Sequence, residues 1–199
     1  MSEKRKYELK RRAARQEETR RRIAAATAEL HEEIGPARTT ISAIAARAGV
    51  ERLTVYRHFP EERELLQACQ EHFLAAHPLP DPAPWAAIAD PAARLRTALR
   101  ALYARHRATE AMTANVQRDA PTMPVLADLL AEAPRYFAAI RALLAAGWDT
   151  PAERQPLVLA ALGHALEFDT WRSLVRQQGL TDEQVVELMV RLVSCLAEG

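Results

Sequence analysis

Residues 39–59, TTISAIAARAGVERLTVYRHF, leave the backbone few courses, because one helical apolar stripe runs into a glycine and a second begins just beyond it. Ile41, Ile44, Ala45 and Ala48 recur at intervals of three and four, the repeat that lines one face of a helix. Thr39 or Thr40 precedes that run and offers a hydroxyl to its unpaired N–H groups. Gly49 stands where the helix must stop, and the left-handed conformation that stops helices costs least without a Cβ. Val50, Val55 and Phe59 then supply an inward side, which turns Arg52, Leu53, Thr54, Tyr56, Arg57 and His58 outward. Ala45 and Ala48 are small enough for the second helix to cross closely over the first, as a helix-turn-helix requires.

The outward residues carry the chemistry of nucleic-acid contact. In such a unit the second helix enters the major groove with its N-terminal residues on base edges, so Arg52, Leu53 and Thr54 are predicted to read sequence. Arginine forms a bidentate pair with guanine, threonine bonds several bases or touches a thymine methyl, and leucine has only that methyl to contact. Thr40, Tyr56, His58 and Arg63 are predicted at phosphates, where they set register without reading bases.

No strand pattern occurs along the chain, and helical periodicity accounts for nearly all of it. A first helix is expected over 18–34, with Ile23, Thr27, Leu30 and Ile34 on one face and Gly35-Pro36 as its stop. After the two motif helices a fourth, over 61–76, turns Leu65, Leu66, Cys69 and Phe73 inward. Residues 77–91 then hold five prolines in fifteen positions, which interrupts helix and marks a boundary near residue 79. Further helices are expected over 92–109, 110–118, 123–147, 151–178 and 182–196, with Asp90-Pro91 opening the first. Thr150 with Glu153 and Thr181 with Gln184 have the form of capping boxes, and Pro134 is expected to kink the middle helix. The resulting division is a basic arm, 1–17, a DNA-binding domain, 18–78, and a body, 79–199.

Net charge over all 199 residues is only +1, yet residues 1–22 hold ten Lys or Arg and four Glu, a local +6 against −5 for the remainder. All three lysines, Lys4, Lys6 and Lys10, lie in this opening stretch, which is either disordered or a helix continuous with the first. Two uses are open to it: following a DNA backbone or minor groove, or serving as a frayed, solvated terminus. Cys69 and Cys195 show no metal-ligand spacing and are expected as free thiols. No leader pattern and no membrane-length apolar run occurs, so a cytoplasmic protein is expected. Phosphate loops, H-E-x-x-H, C-x-x-C and G-x-S-x-G are all missing, the six histidines are scattered, and no cofactor, metal or catalytic residue is expected.

Thr19 to Ala68, including AARAGV, TVYRHF and a charged segment followed by Leu65-Leu66, resembles the N-terminal domain of TetR-family (tetracycline-repressor-like) transcriptional regulators. The resemblance implies an all-α fold: a three-helix DNA-binding head and a helical C-terminal body that binds a small-molecule effector and forms a homodimer on a palindromic operator. Thr40, Ser42, Arg52 to Tyr56 and His58 match places where such proteins touch DNA. Glu51 stands where the family often has Ser, and Leu53 where it often has Gly, so capping and base preference depart from the pattern. Tyr103, His106, Met112, Val116, Phe137, Ile140, His164 and Phe168 are the effector-site candidates, each also a plausible core residue. Asn115, Gln117, Arg118 and Asp119 form a polar cluster that either binds an acidic effector or pairs with neighbours.

Helices 151–178 and 182–196 are expected to dimerise through Leu157, Leu159, Ala160, Leu162, Gly163, Leu166 and Trp171, and Val185, Leu188, Met189, Leu192 and Cys195. The expected function is a sequence-specific repressor released by its effector. An architectural DNA-binding protein and a helical enzyme are the alternatives.

Overall fold

The computed structural model describes the backbone of residues 3–198 and the side chains of residues 7–198. Its regular structure is helical among the described residues: α1 Glu3–Glu33, α2 Ile41–Ala48, α3 Arg52–His58, α4 Glu62–Ala76, α5 Ala83–Ala86, α6 Pro91–Ala108, α7 Glu110–Asp119, α8 Pro124–Leu129, α9 Ala133–Ala145, α10 Gln155–Leu166, α11 Phe168–Arg176 and α12 Asp182–Glu198. Two compact units result. One holds Met1–Pro78 and Glu110–Leu130, the other Leu79–Thr109 and Ala131–Gly199.

In the first unit α1 is the spine. Its Ile23, Ala26 and Leu30 are buried with Ile44, Ala45 and Ala48 of α2, Val55 of α3, Phe59 just beyond α3, and Leu65 of α4. Thr27 is fully buried on the same face, and its hydroxyl donates to the Ile23 carbonyl at 2.8 Å, so a polar group sits in the core without an unmet bond. The opening residues, from Glu3, are helical and continuous with the rest of α1.

The C-terminal end of α1 explains why a later segment joins this unit. A helix leaves its last carbonyls without partners. Here Asn115 Nδ2 donates to the carbonyls of His31 (3.0 Å) and Glu32 (2.8 Å), and Arg118 donates to that of Ile34 (3.2 Å). Arg118 also holds Asp119, whose Oδ2 accepts the Ala37 N–H at 3.0 Å, and this guanidinium keeps the Asp119 carboxyl below its ordinary range. The polar cluster of residues 115–119 thus pairs with neighbours. Met112 buries beside Ala28 and Cys69, with Val116 and Phe73 against them. The expected body 79–199 is corrected accordingly: 110–130 packs with the first unit, because α7 supplies the donors and apolar surface that α1 and α4 lack.

The second unit is built on α6, whose Leu95, Ala98, Leu99, Leu102 and Tyr103 are buried, together with Ile140, Leu144, Leu162, Trp171, Val185, Val186 and Val193 from α9 to α12. Asp90 caps α6, accepting the Ala93 N–H at 2.7 Å, with Pro91 at its first position. The Thr181–Gln184 box forms in both directions, at 2.9 and 3.3 Å. Three ion pairs, Arg96–Glu187, Arg100–Glu183 and Arg107–Asp182, run as a ladder between α6 and α12 and fix their register.

Three local expectations fail. Pro134 does not kink a long helix but stands in the first turn of a new one, α9, where its missing N–H costs nothing. Thr150 caps no helix: residues 152–154 form turns, α10 begins at Gln155 with Pro156 in its first turn, and the Thr150 hydroxyl is buried without a hydrogen-bond partner. The expected helix 151–178 is split at Glu167, whose ψ of 136° is extended, with neither glycine nor proline there. Tertiary bonds decide that break. The Tyr103 hydroxyl donates to the Ala165 carbonyl at 2.8 Å, and His106 Nε2 lies 3.4 Å from the Leu166 carbonyl, so the carbonyls released at the end of α10 are both met.

Candidate nucleic-acid interface

The geometry of residues 39–59 follows from a few local bonds. The Thr40 side chain caps α2 by accepting the Ala43 N–H at 3.1 Å. Gly49 adopts φ 63°, ψ 42°, its N–H bonds the Ala46 carbonyl at 3.2 Å, and the Val50 N–H bonds that of Ala45 at 3.0 Å. This paired arrangement closes the helix and turns the chain sharply into α3. Two arginines of α1 hold the same region from outside: Arg22 donates to the carbonyls of Ala48 and Gly49, and Arg20 to that of His58 at 2.7 Å. The Arg20 guanidinium also stands 4.1 Å from the centre of the Phe59 ring. Sequence reasoning missed these roles; the available trace was a run of arginines one turn before Ile23, the first fully buried residue of the spine.

Seven residues make α3, and they divide cleanly. Val55 is fully buried and Phe59 nearly so, whereas Arg52, Leu53, Tyr56 and Arg57 are exposed. Leu53 is 77% exposed, a large apolar side chain left on the outer face beside Tyr56. Thr54 is half-buried. Glu51 occupies the cap position of α3 but forms no side-chain cap bond, which agrees with its departure from the usual Ser. His58 is half-buried, and burial together with the nearby Arg57 and Arg20 lowers its imidazole pKa, with Glu17 opposing. The imidazole is therefore biased toward its neutral form, able to donate one hydrogen bond without carrying charge.

The remaining DNA candidates lie on neighbouring elements. Ser42 is exposed on the first turn of α2, and Thr40 is exposed beside it while its oxygen serves the cap. Arg63 on α4 is engaged by Asp128 at 2.6 Å in an exposed pair, so phosphate binding there would have to exchange one anion for another. A cleft of about 330 Å³ between α1 and the end of α3 is lined by Ala13, Gln16, Glu17, Arg20, Arg57 and His58.

The effector candidates fall in different places. In the second unit Tyr103, His106, Ile140 and Phe168 are buried, and the His106 ring packs against Tyr103, Phe168 and Trp171 with centroids 5.5 to 6.1 Å away. Burial lowers the His106 pKa to about 4, and its Nδ1 is a buried acceptor without a partner. Phe137 is half-buried against Tyr136. His164, expected on an apolar face, is exposed and bonds the Thr170 hydroxyl at 3.0 Å, because the break at Glu167 folds α11 back beside it. Met112 and Val116 belong to the first unit, in the small cluster around Cys69. A cleft of about 210 Å³ that sequence reasoning did not find is lined by Ala145, Trp148, Thr150, Gln155, Val158 and Leu159.

A two-helix unit with a buried crossing and an outer face of donors defines the class of helix-turn-helix DNA-binding proteins. Residues 23–69 match the family model of bacterial regulatory proteins, tetR family. Among solved structures, a transcriptional regulator from Rhodococcus sp. Rha1 is similar at 23% identity, covering 90% of this chain and 96% of its own with a TM-score of 0.57. A TetR transcription regulator from Haloarcula marismortui ATCC 43049 is similar at 20% identity, covering 92% and 97%, with a TM-score of 0.56. No curated protein matches the chain significantly. The two structures establish the shared fold, and the family match falls on the helix-turn-helix itself. Residues 23–69 thus carry the DNA-binding domain pattern of the tetR family of bacterial regulatory proteins, and the chain as a whole shares the fold of the two structures.

Proposed function

We propose that this protein is a homodimeric repressor that seats two α3 helices in successive major-groove faces of a palindromic operator and is released by a small-molecule effector. The observation that carries the DNA part is the division of α3: Val55 is buried under α1 while Arg52, Leu53, Tyr56 and Arg57 leave the same two turns outward. Arg52 and Leu53 open the helix and read bases; Tyr56, Arg57 and His58 follow and hold phosphates, with Thr40 and Ser42 on α2. Two heads of a dimer would then stand about 34 to 36 Å apart when half-sites are one turn apart.

Dimerisation is supported by α10 and α12. Leu162, Leu166, Val185 and Met189 are spent on the unit's own core, but Leu157, Leu159, Leu188 and Leu192 remain exposed, Leu157 by 54%. Four leucines on two helices that pack together are costly in water and fit a self-complementary interface. For the effector we favour the surroundings of His106, where a ligand donor would meet the unpartnered Nδ1 among Tyr103, Phe168 and Trp171. The chain passes from α6 in the second unit directly into α7, which holds the end of α1 in the first. A coupling of about 1 to 3 kcal/mol along that route would weaken DNA affinity about 5- to 150-fold.

Replacement of single residues tests the division of roles. Arg52→Ala will cost about 1 to 3 kcal/mol on the preferred site and relax one base position, whereas His58→Ala will weaken all sequences alike. Equal, sequence-independent losses from both variants would refute the assignment.

A further inference from the structure

The basic opening of the chain separates into two sets once its partners are known. Arg20 and Arg22 are committed to the helix-turn-helix carbonyls, and Arg21 pairs with Glu18. Lys10, Arg11, Arg12 and Arg15 form no ion pair among the described residues, and every side chain from Tyr7 to Glu18 is exposed. Lys4 and Lys6 lie outside the described side chains.

This second set stands where helix energetics disfavour it. Arg11 with Arg15 is a like-charged pair one turn apart, which costs some tenths of a kcal/mol. No apolar face repays the cost, since Tyr7 and Leu9 are themselves more than half exposed. An anion laid along the helix removes that penalty. The direction of α1 places that anion. Its C-terminal end is held by α7, its middle passes the ends of α2 and α3 at Arg22 and Arg20, and the extension continues beyond them for roughly 20 Å at 1.5 Å per residue. Its first turns beyond Arg20 form, with Arg57 and His58, the cleft beside the end of α3.

We infer that residues 7–16 of α1 are a second DNA-contacting surface, a basic helical flank that binds the phosphates next to the groove occupied by α3. The inference rests on the DNA reading of α3. Lys10, Arg11, Arg12 and Arg15 contribute affinity and salt dependence and carry no sequence information.

The test compares the intact chain with the variant Lys10→Gln, Arg11→Gln, Arg12→Gln, Arg15→Gln, using fluorescence anisotropy on the preferred duplex over a series of salt concentrations. Glutamine keeps helix propensity close to that of Lys and Arg, and far-UV circular dichroism verifies that helix content is retained. The slope of log affinity against log salt will fall by about 2 to 4, at about 0.9 per phosphate lost, while the ranking of sequences stays the same. A control variant, Arg135→Gln with Arg141→Gln in the second unit, will keep the slope of the intact chain. Equal slopes for the intact and four-fold variant would overturn the flank while leaving the α3 reading in place. An altered ranking of sequences would overturn its role as a phosphate contact. Failure of the intact chain to prefer any duplex would overturn the α3 reading and the flank with it.

Discussion

Lowering the pH below 6.5 will remove stability from both units through two buried histidines. His31 in the first unit and His106 in the second are each about 5% exposed, and burial, the largest cause in both, lowers their pKa from 6.5 to about 4. Asp119 partly opposes the shift at His31, and the Leu166 carbonyl does so at His106. Because the folded pKa is depressed for a base, both states are neutral above 6.5 and stability is fully present there. As pH falls from 6.5 toward 4 the unfolded chain takes up the protons first, and stability is lost until the folded pKa is passed. A depression of about 2.5 units corresponds to about 3 kcal/mol for each histidine, at about 1.4 kcal/mol per unit.

The assay is urea unfolding, read by circular dichroism, of the intact chain, His31→Gln and His106→Gln at about pH 7.5 and about pH 4.5. Paired carboxylates such as Asp182 and Glu187 have lowered pKa values and also lose stability as acid protonates them, so the difference between chains isolates the histidines. Each variant will lose about 2 to 3 kcal/mol less than the intact chain over this interval. Parallel losses in all three would refute the argument that these imidazoles are held neutral by burial.

Gly35→Ala will destabilise the first unit by about 3 kcal/mol in urea unfolding, because φ 91° with ψ 157° is open essentially to glycine alone and the new Cβ would strike Arg118 and Asp119. A loss below about 1 kcal/mol would show that the clamp on α1 yields easily. Thr40→Ala will cost about 1 kcal/mol in the same assay through the lost cap, and an unchanged midpoint would contradict the cap. Leu188→Glu with Leu192→Glu will convert a dimer to monomers in sedimentation velocity without loss of helix content; an unshifted sedimentation coefficient would exclude this face as the interface.

The head was legible because its signals are local. Thr40, Gly49 and the stripe of Ile44, Ala45 and Ala48 determine backbone geometry within a few residues, and the Thr181–Gln184 box does the same for α12. What escaped the sequence depends on partners far along the chain. The break at Glu167 is fixed by Tyr103 and His106, about sixty residues earlier, and its local trace was only a change from an evenly apolar run to a one-sided pattern after Leu166. Likewise α7 joins the first unit through Asn115 and Arg118, whose task is to satisfy carbonyls more than eighty residues away. Pro134 and Pro156 were ambiguous because the same residue breaks a helix from inside and opens one from its first turn. Among the effector candidates, Tyr103 and His106 also meet the carbonyls at the helix break, a further role that periodicity does not show.

Selection of the intact protein on a random duplex library at physiological salt, with sequencing of the bound pool, tests the central claim most directly. The account predicts enrichment of a two-fold palindrome whose half-sites lie one helical turn, or a multiple of it, apart. Binding that falls with salt but enriches no sequence would contradict it, and with it the assignment of α3 to the reading of bases.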